Sequence, residues 1–142
     1  MEENMSLLND IYQNSKMGEE SIKALLPSVD DPNLKNDLQT QMVGYTKLYA
    51  KAQQEIVGRK GEPKENGILE QVSVRTGVKM NTMIDSTPSH IAEMMIEGSN
   101  MGIVSLTKQM KRHPGIDSKV KQLADELLNF EENNIQRLKS YL

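Results

Sequence analysis

Four polar residues sit on or beside the apolar stripes of this chain where chemistry could be done: Glu19, Gln41, Ser99 and Glu131, with Asn134 one turn beyond the last. At about 100° per residue they fall on inward faces. Glu131 stands out, because Leu127 and Leu138 flank it at helical spacing and an ionised carboxylate is costly to bury without a partner. It must meet a cation, a metal or a hydrogen-bond donor, or lie near a bundle end. Glu131-x-x-Asn134 has the spacing of a two-residue ligand pair, with an amide where a strong imidazole ligand would stand.

Other residues admit plainer readings. His90, Glu93 and Glu97 are separated by helical steps and in principle could hold zinc or iron. They lie off the apolar stripe, however, and Glu93 in a first turn suits a capping role. His113 follows Lys111 and Arg112 at a helix end, where cationic side chains complement exposed carbonyls. Ten methionines, among them Met80, Met83, Met94, Met95 and Met101, occur in a chain with one Phe, and helical spacing makes most of them expected core fillers. Tyr45 and Tyr49 stand one turn apart, with Tyr12 on another helix. A buried tyrosine of this kind packs its ring and bonds its hydroxyl to a neighbour.

The elements that position these groups follow from periodicity. Apolar residues recur every three or four positions and strict alternation is scarce, which predicts an all-α chain. A first helix is expected over Met5 to Leu26, with Leu8, Ile11, Ser15, Gly18, Ile22 and Leu26 on one face and Pro27 following. A second starts at Asp30-Asp31-Pro32 and carries Leu34, Leu38, Met42, Tyr45, Tyr49, Ala52 and Ile56 toward Gly58. Residues 59–67 (RKGEPKENG) read as a loop, and a short helix is expected over Ile68 to Ile84. A further long helix starts at Asp85-Ser86-Thr87-Pro88, carries Ile91, Met95, Gly98, Gly102, Leu106 and Met110, and stops at His113-Pro114-Gly115. Asp117 or Ser118 caps the last helix, with Val120, Leu123, Ala124, Leu127, Phe130, Asn134, Leu138 and Tyr141 in register. The expected architecture is a four-helix bundle over residues 1–142: two antiparallel hairpins joined by a crossover containing a short helix. A shift of about 80 positions aligns Ile11 with Ile91, Gly18 with Gly98 and Leu26 with Leu106, and the paired glycines would let the first and third long helices approach closely.

Composition narrows the functional classes. The 142 residues include no Cys, which excludes disulfide scaffolds, thiolate nucleophiles and Cys-ligated metals. A net charge of −3 with few aromatics offers neither a basic stripe nor stacking platforms, so nucleic acid is not expected as a partner. No run suits membrane insertion, and the amino-terminal stretch lacks the basic and apolar regions of a signal peptide, which points to a cytoplasmic protein. Phosphate-loop, Gly-x-Ser-x-Gly and His-Glu-x-x-His motifs are missing, and two histidines leave little acid–base chemistry near neutral pH.

The stretches LLNDIYQNSKMGEES (7–21), DDPNLK (30–35), GEP (61–63) and HIAEMMIEGSN (90–100), taken in order along the chain, resemble the bacterial ferritin-like domain family of unknown function. The resemblance covers almost the whole chain. It implies a ferritin-like fold, in which di-iron members take a Glu from each of two helices and a Glu-x-x-His pair from each of the other two. Gly18-Glu19 keeps the Gly-Glu pair of the first long helix, Gly98-Ser99 places serine where the second Glu is expected, and Glu132-Asn133 stand nearest the family's His-Asp. The leading expectation is therefore a bundle without a complete di-iron ligand set and without a cofactor. It would act as a structural or protein-interaction module for an unidentified protein partner, with homo-oligomer formation open. One alternative is a protein binding iron or manganese, or an oxidase, with the reduced ligand set Glu19, Glu131, Glu132 and Gln41. Another is a component of a spore coat or stress assembly.

Overall fold

The computed structural model describes residues 2–65 and 85–142. Among the described residues no strand occurs, and the long elements are α1 (Glu2–Leu25), α2 (Pro32–Gly58), α3 (Pro88–Arg112) and α4 (Ser118–Lys139). A single 3-10 turn, Leu26–Ser28, follows α1. The short helix expected over 68–84 lies outside the described residues. No described helix is long and apolar enough to cross a membrane.

The helix boundaries have local causes. α1 begins a turn earlier than its apolar stripe, with Glu2 and Glu3 in the first turn, where carboxylates complement the positive end of the helix dipole. Asp31, Thr87 and Asp117 are the N-caps of the other three. Their side chains accept from the backbone N–H of Leu34, His90 and Val120 at 2.8, 3.3 and 3.0 Å, satisfying donors that the first turn leaves free. α2 ends in a Schellman motif: Gly61 N–H donates to the Ile56 carbonyl and Lys60 N–H to that of Val57, both at 2.9 Å. Lys60 takes the left-handed position with φ 64°, a place glycine usually fills. A Cβ on Gly61 would lie 2.6 Å from Met5 Cε, so the end of the Met5 side chain would have to move aside.

Side-chain pairs along the interfaces fix the helix directions. Tyr12 meets Tyr49 and Glu19 meets Thr46, so α2 runs antiparallel to α1. Asp37 meets Arg137, Tyr45 meets Glu131 and Lys51 meets Glu126, so α4 runs antiparallel to α2. Glu3 faces His113 and Asn14 faces Gly102, so α3 also runs antiparallel to α1. α1 and α4 therefore share one direction and α2 and α3 the other. Leu7, Leu8, Ile11, Ile22, Leu34, Leu38, Ile56, Ile91, Leu106, Leu127 and Leu138 are fully buried along the common axis, each of a size whose burial contributes about 1.5–3 kcal/mol.

Two registers differ from the periodicity. On α2, Gln41 and Leu48 are buried while Met42 and Tyr49 lie on the flank, because α2 packs against α1 and α4 together and its buried face turns toward the angle between them. On α3, Ser99 is buried and Gly98 only half-buried. The close approach at Gly18 is likewise made with Tyr45 of α2, whose ring would lie 2.5 Å from a Cβ at that position, and not with α3.

Candidate functional site

The polar residues meet around Tyr45. Its hydroxyl donates to Glu131 Oε1 across the α2–α4 interface, and Ser99 of α3 and Asn134 of α4 face the same hydroxyl. Glu131 is 6% exposed and, among the described residues, is the one buried carboxylate. Burial, first, and then the charge and hydrogen bond of Glu131 push the Tyr45 phenol well above its usual range, against smaller opposing effects of Ser99 and Asn134. The phenol stays protonated and acts as a donor. Low local dielectric strengthens such a charge-assisted bond and raises the cost of breaking it.

Glycines make room for this arrangement. Gly18 of α1 lies flat against the Tyr45 ring, and Gly44 of α2 lies against the Phe130 ring of α4. Tyr45 and Phe130 pack edge to face, with centroids 4.9 Å apart at 83°, a favoured aromatic geometry. Gly102 of α3 covers the far side of Glu131, where a Cβ would come 3.0 Å from Oε2.

The four candidate metal ligands fall in different places. Glu131 and Gln41 are buried in the core. Glu19 lies at the α1–α2 rim, where Oε2 accepts from the Thr46 hydroxyl at 2.6 Å. Glu132 is exposed, one helical step of about 100° away from Glu131. Among the described residues, both ends of the Gln41 amide and Ser15 Oγ are buried without a hydrogen-bond partner. Among the described residues no group of three or more His, Asp or Glu side chains converges to hold a metal. His90 faces Asp85 at 4.0 Å, while Glu93 and Glu97 are exposed.

A second polar cluster, at the end of the bundle where α1 starts and α2 stops, escaped the sequence reading. Residues 61–65 run along α1 without regular structure. Asn9 Oδ1 accepts from Lys64 N–H and Gln13 Nε2 donates to the Lys64 carbonyl, both at 2.8 Å, and the Tyr12 hydroxyl donates to Glu65 Oε1 at 2.7 Å. Burial, then Glu65, push the Tyr12 phenol up to about 12. Nearby, burial raises the Asp10 carboxyl despite the lowering effects of the His113 and Lys64 charges. The signal in the sequence was an amide pair four residues apart on one helix face, unreadable until its partner segment was placed. No protein-family model, curated protein or solved structure matches the chain.

Proposed function

We propose that the chain is a ferritin-like bundle whose central polar layer locks the helices together instead of holding a metal pair, and that it works as a structural or protein-interaction module. The helix directions support it: α1 and α4 share one direction and α2 and α3 the other, as in a ferritin-like bundle. The observation that carries the reading is the Tyr45–Glu131 hydrogen bond. The buried carboxylate meets a phenol donor, with serine and amide side chains beside it.

Among the described residues no group of three or more His, Asp or Glu side chains comes together, which does not fit a dinuclear iron or manganese centre drawing on four carboxylates and two imidazoles. The interaction role draws on the outer face of α3, where Met101 and Val104 are 72% and 53% exposed one turn apart. The test is elemental analysis after anaerobic incubation with Fe(II), Mn(II) and Zn(II) and removal of unbound ions. Metal well below one per chain is expected. Near-stoichiometric iron or manganese that disappears in Glu131→Gln would overturn the proposal in favour of a metalloprotein with a reduced ligand set.

A further inference from the structure

The contact between α1 and residues 61–65 has the form of a peptide complex made within one chain. Asn9 and Gln13, four residues apart on α1, take up the N–H and the C=O of the single residue Lys64, both at 2.8 Å. Asn9 is 5% exposed and is held in orientation by its own donation to the Met5 carbonyl at 3.0 Å. A pair of this kind reads main chain, so it accepts any residue with a free N–H in an extended segment. Pro63 keeps the residue before it extended, and the Lys64 side chain is exposed, its charge acting on Asp10 of α1 without a direct bond.

Side-chain selection falls on the next position. Glu65 receives the Tyr12 hydroxyl at 2.7 Å. The Tyr12 ring stands edge-on to Tyr49, with centroids 6.0 Å apart, and the Lys16 ammonium lies 5.9 Å from the Tyr12 centroid and 5.2 Å from that of Tyr49. A phenol donor makes a stronger hydrogen bond to a carboxylate than to a neutral acceptor, and the Lys16 ammonium lies over the same rings.

We propose that this groove, formed by Asn9, Tyr12, Gln13, Lys16 and Tyr49, is a docking site for an extended acidic peptide of the pattern Pro-X-Glu, which the chain fills with its own residues 61–65. The partner is a segment of another protein with that chemistry, and it gains access when the internal segment lets go. Tethering gives the internal copy an effective concentration in the millimolar range, so a free peptide competes poorly until the tethered one is weakened. The groove is separate from the Tyr45–Glu131 layer, and its test is independent of metal content.

The experiment uses the full chain carrying Glu65→Gln, observed by NMR through the Lys64 amide and the side-chain amides of Asn9 and Gln13. The probes are the blocked peptides Gly-Glu-Pro-Lys-Glu and Gly-Glu-Pro-Lys-Gln. Lys64 hydrogen exchange is expected to speed up about tenfold in the variant, as loss of one charge-assisted hydrogen bond implies. The acidic probe should then shift both side-chain amides saturably, and the neutral probe should bind at least about fivefold more weakly. Adding Gln13→Ala, at a part-exposed position whose loss leaves the helix intact by far-UV circular dichroism, should abolish the shift of the remaining reporter, the Asn9 side-chain amide. Unchanged Lys64 exchange, equal binding of the two probes, or shifts that survive Gln13→Ala would overturn the proposal. A concentration-dependent dimer dissolved by Gln13→Ala would also overturn it, assigning the groove to a second copy of the chain.

Discussion

The Tyr45 hydroxyl of α2 donates to the Glu131 carboxylate of α4 inside the bundle, joining two helices that are far apart in sequence. Removing either partner leaves a buried polar group with one bond fewer. Tyr45→Phe is expected to cost about 2–3 kcal/mol and Glu131→Leu about 1–3 kcal/mol, whereas the double variant should cost well under their sum. Urea denaturation of the four proteins of the cycle gives the coupling energy directly. Strict additivity would mean that the pair does not hold the helices together.

Gln41 is 3% exposed and its amide has no hydrogen-bond partner. Methionine has similar length and no polar group to bury. Gln41→Met should therefore raise stability by about 1–2 kcal/mol, seen as a higher urea midpoint with an unchanged slope. A loss of stability would show that the amide is satisfied in solution.

Gly18 and Gly44 each face an aromatic ring at less than van der Waals separation from the Cβ they lack. In an exposed helix Gly→Ala gains up to about 1 kcal/mol. Here overpacking of about 1–3 kcal/mol should outweigh that gain, so Gly18→Ala and Gly44→Ala should each lower the thermal midpoint. Gly58, with nothing within 4 Å of a built Cβ, serves as the control and should not be lowered by crowding.

Lys60 holds the left-handed position of the Schellman motif that ends α2. A non-glycine residue there costs roughly 1 kcal/mol. Lys60→Gly should raise stability by about that amount and leave the circular dichroism spectrum unchanged, because the backbone already has the conformation that glycine adopts freely.

Two aspartates should respond to pH in opposite senses. Burial works to raise the Asp37 carboxyl, but hydrogen bonds from Tyr141 at 2.6 Å and Arg137 at 2.9 Å prevail and hold it below the usual 3.8. Its stabilising contribution is present above the unfolded value and is lost as pH falls through the lower, folded value. Asp10, raised by burial, opposes folding at neutral pH, and that penalty disappears as pH falls below 3.8. Thermal midpoints at about pH 7 should accordingly drop in Asp37→Asn and rise in Asp10→Asn. Well below pH 3.8 the Asp10→Asn difference should vanish, while the Asp37→Asn difference should shrink only as pH falls through the lower, folded value.

The sequence by itself determined the helices and much of the core. Pro32 and Pro88 behind acidic or hydroxylated caps set two starts, Asp117 set a third, and the spacing of Leu34, Leu38 and Ile56 or of Leu123, Leu127 and Leu138 set the faces. These are local effects, governed by backbone donors and a period of 3.6 residues. The inward places of Gln41, Ser99, Glu131 and Asn134 were legible for the same reason. Periodicity put Met42 and Tyr49 on the inward stripe of α2, whereas Gln41 and Leu48 are the residues buried there, because both sets lie within one broad face and only the neighbouring helices choose between them. Tertiary structure alone decided what Glu131 meets, since Tyr45 comes from 86 positions away. It likewise decided that Gly18 serves a ring on α2, that Glu19 belongs to the rim, and that Asn9 and Gln13 grip a segment more than 50 residues further on. A hydrogen-bond partner is a matter of distance in space, and one-dimensional spacing fixes that distance only within a single helix.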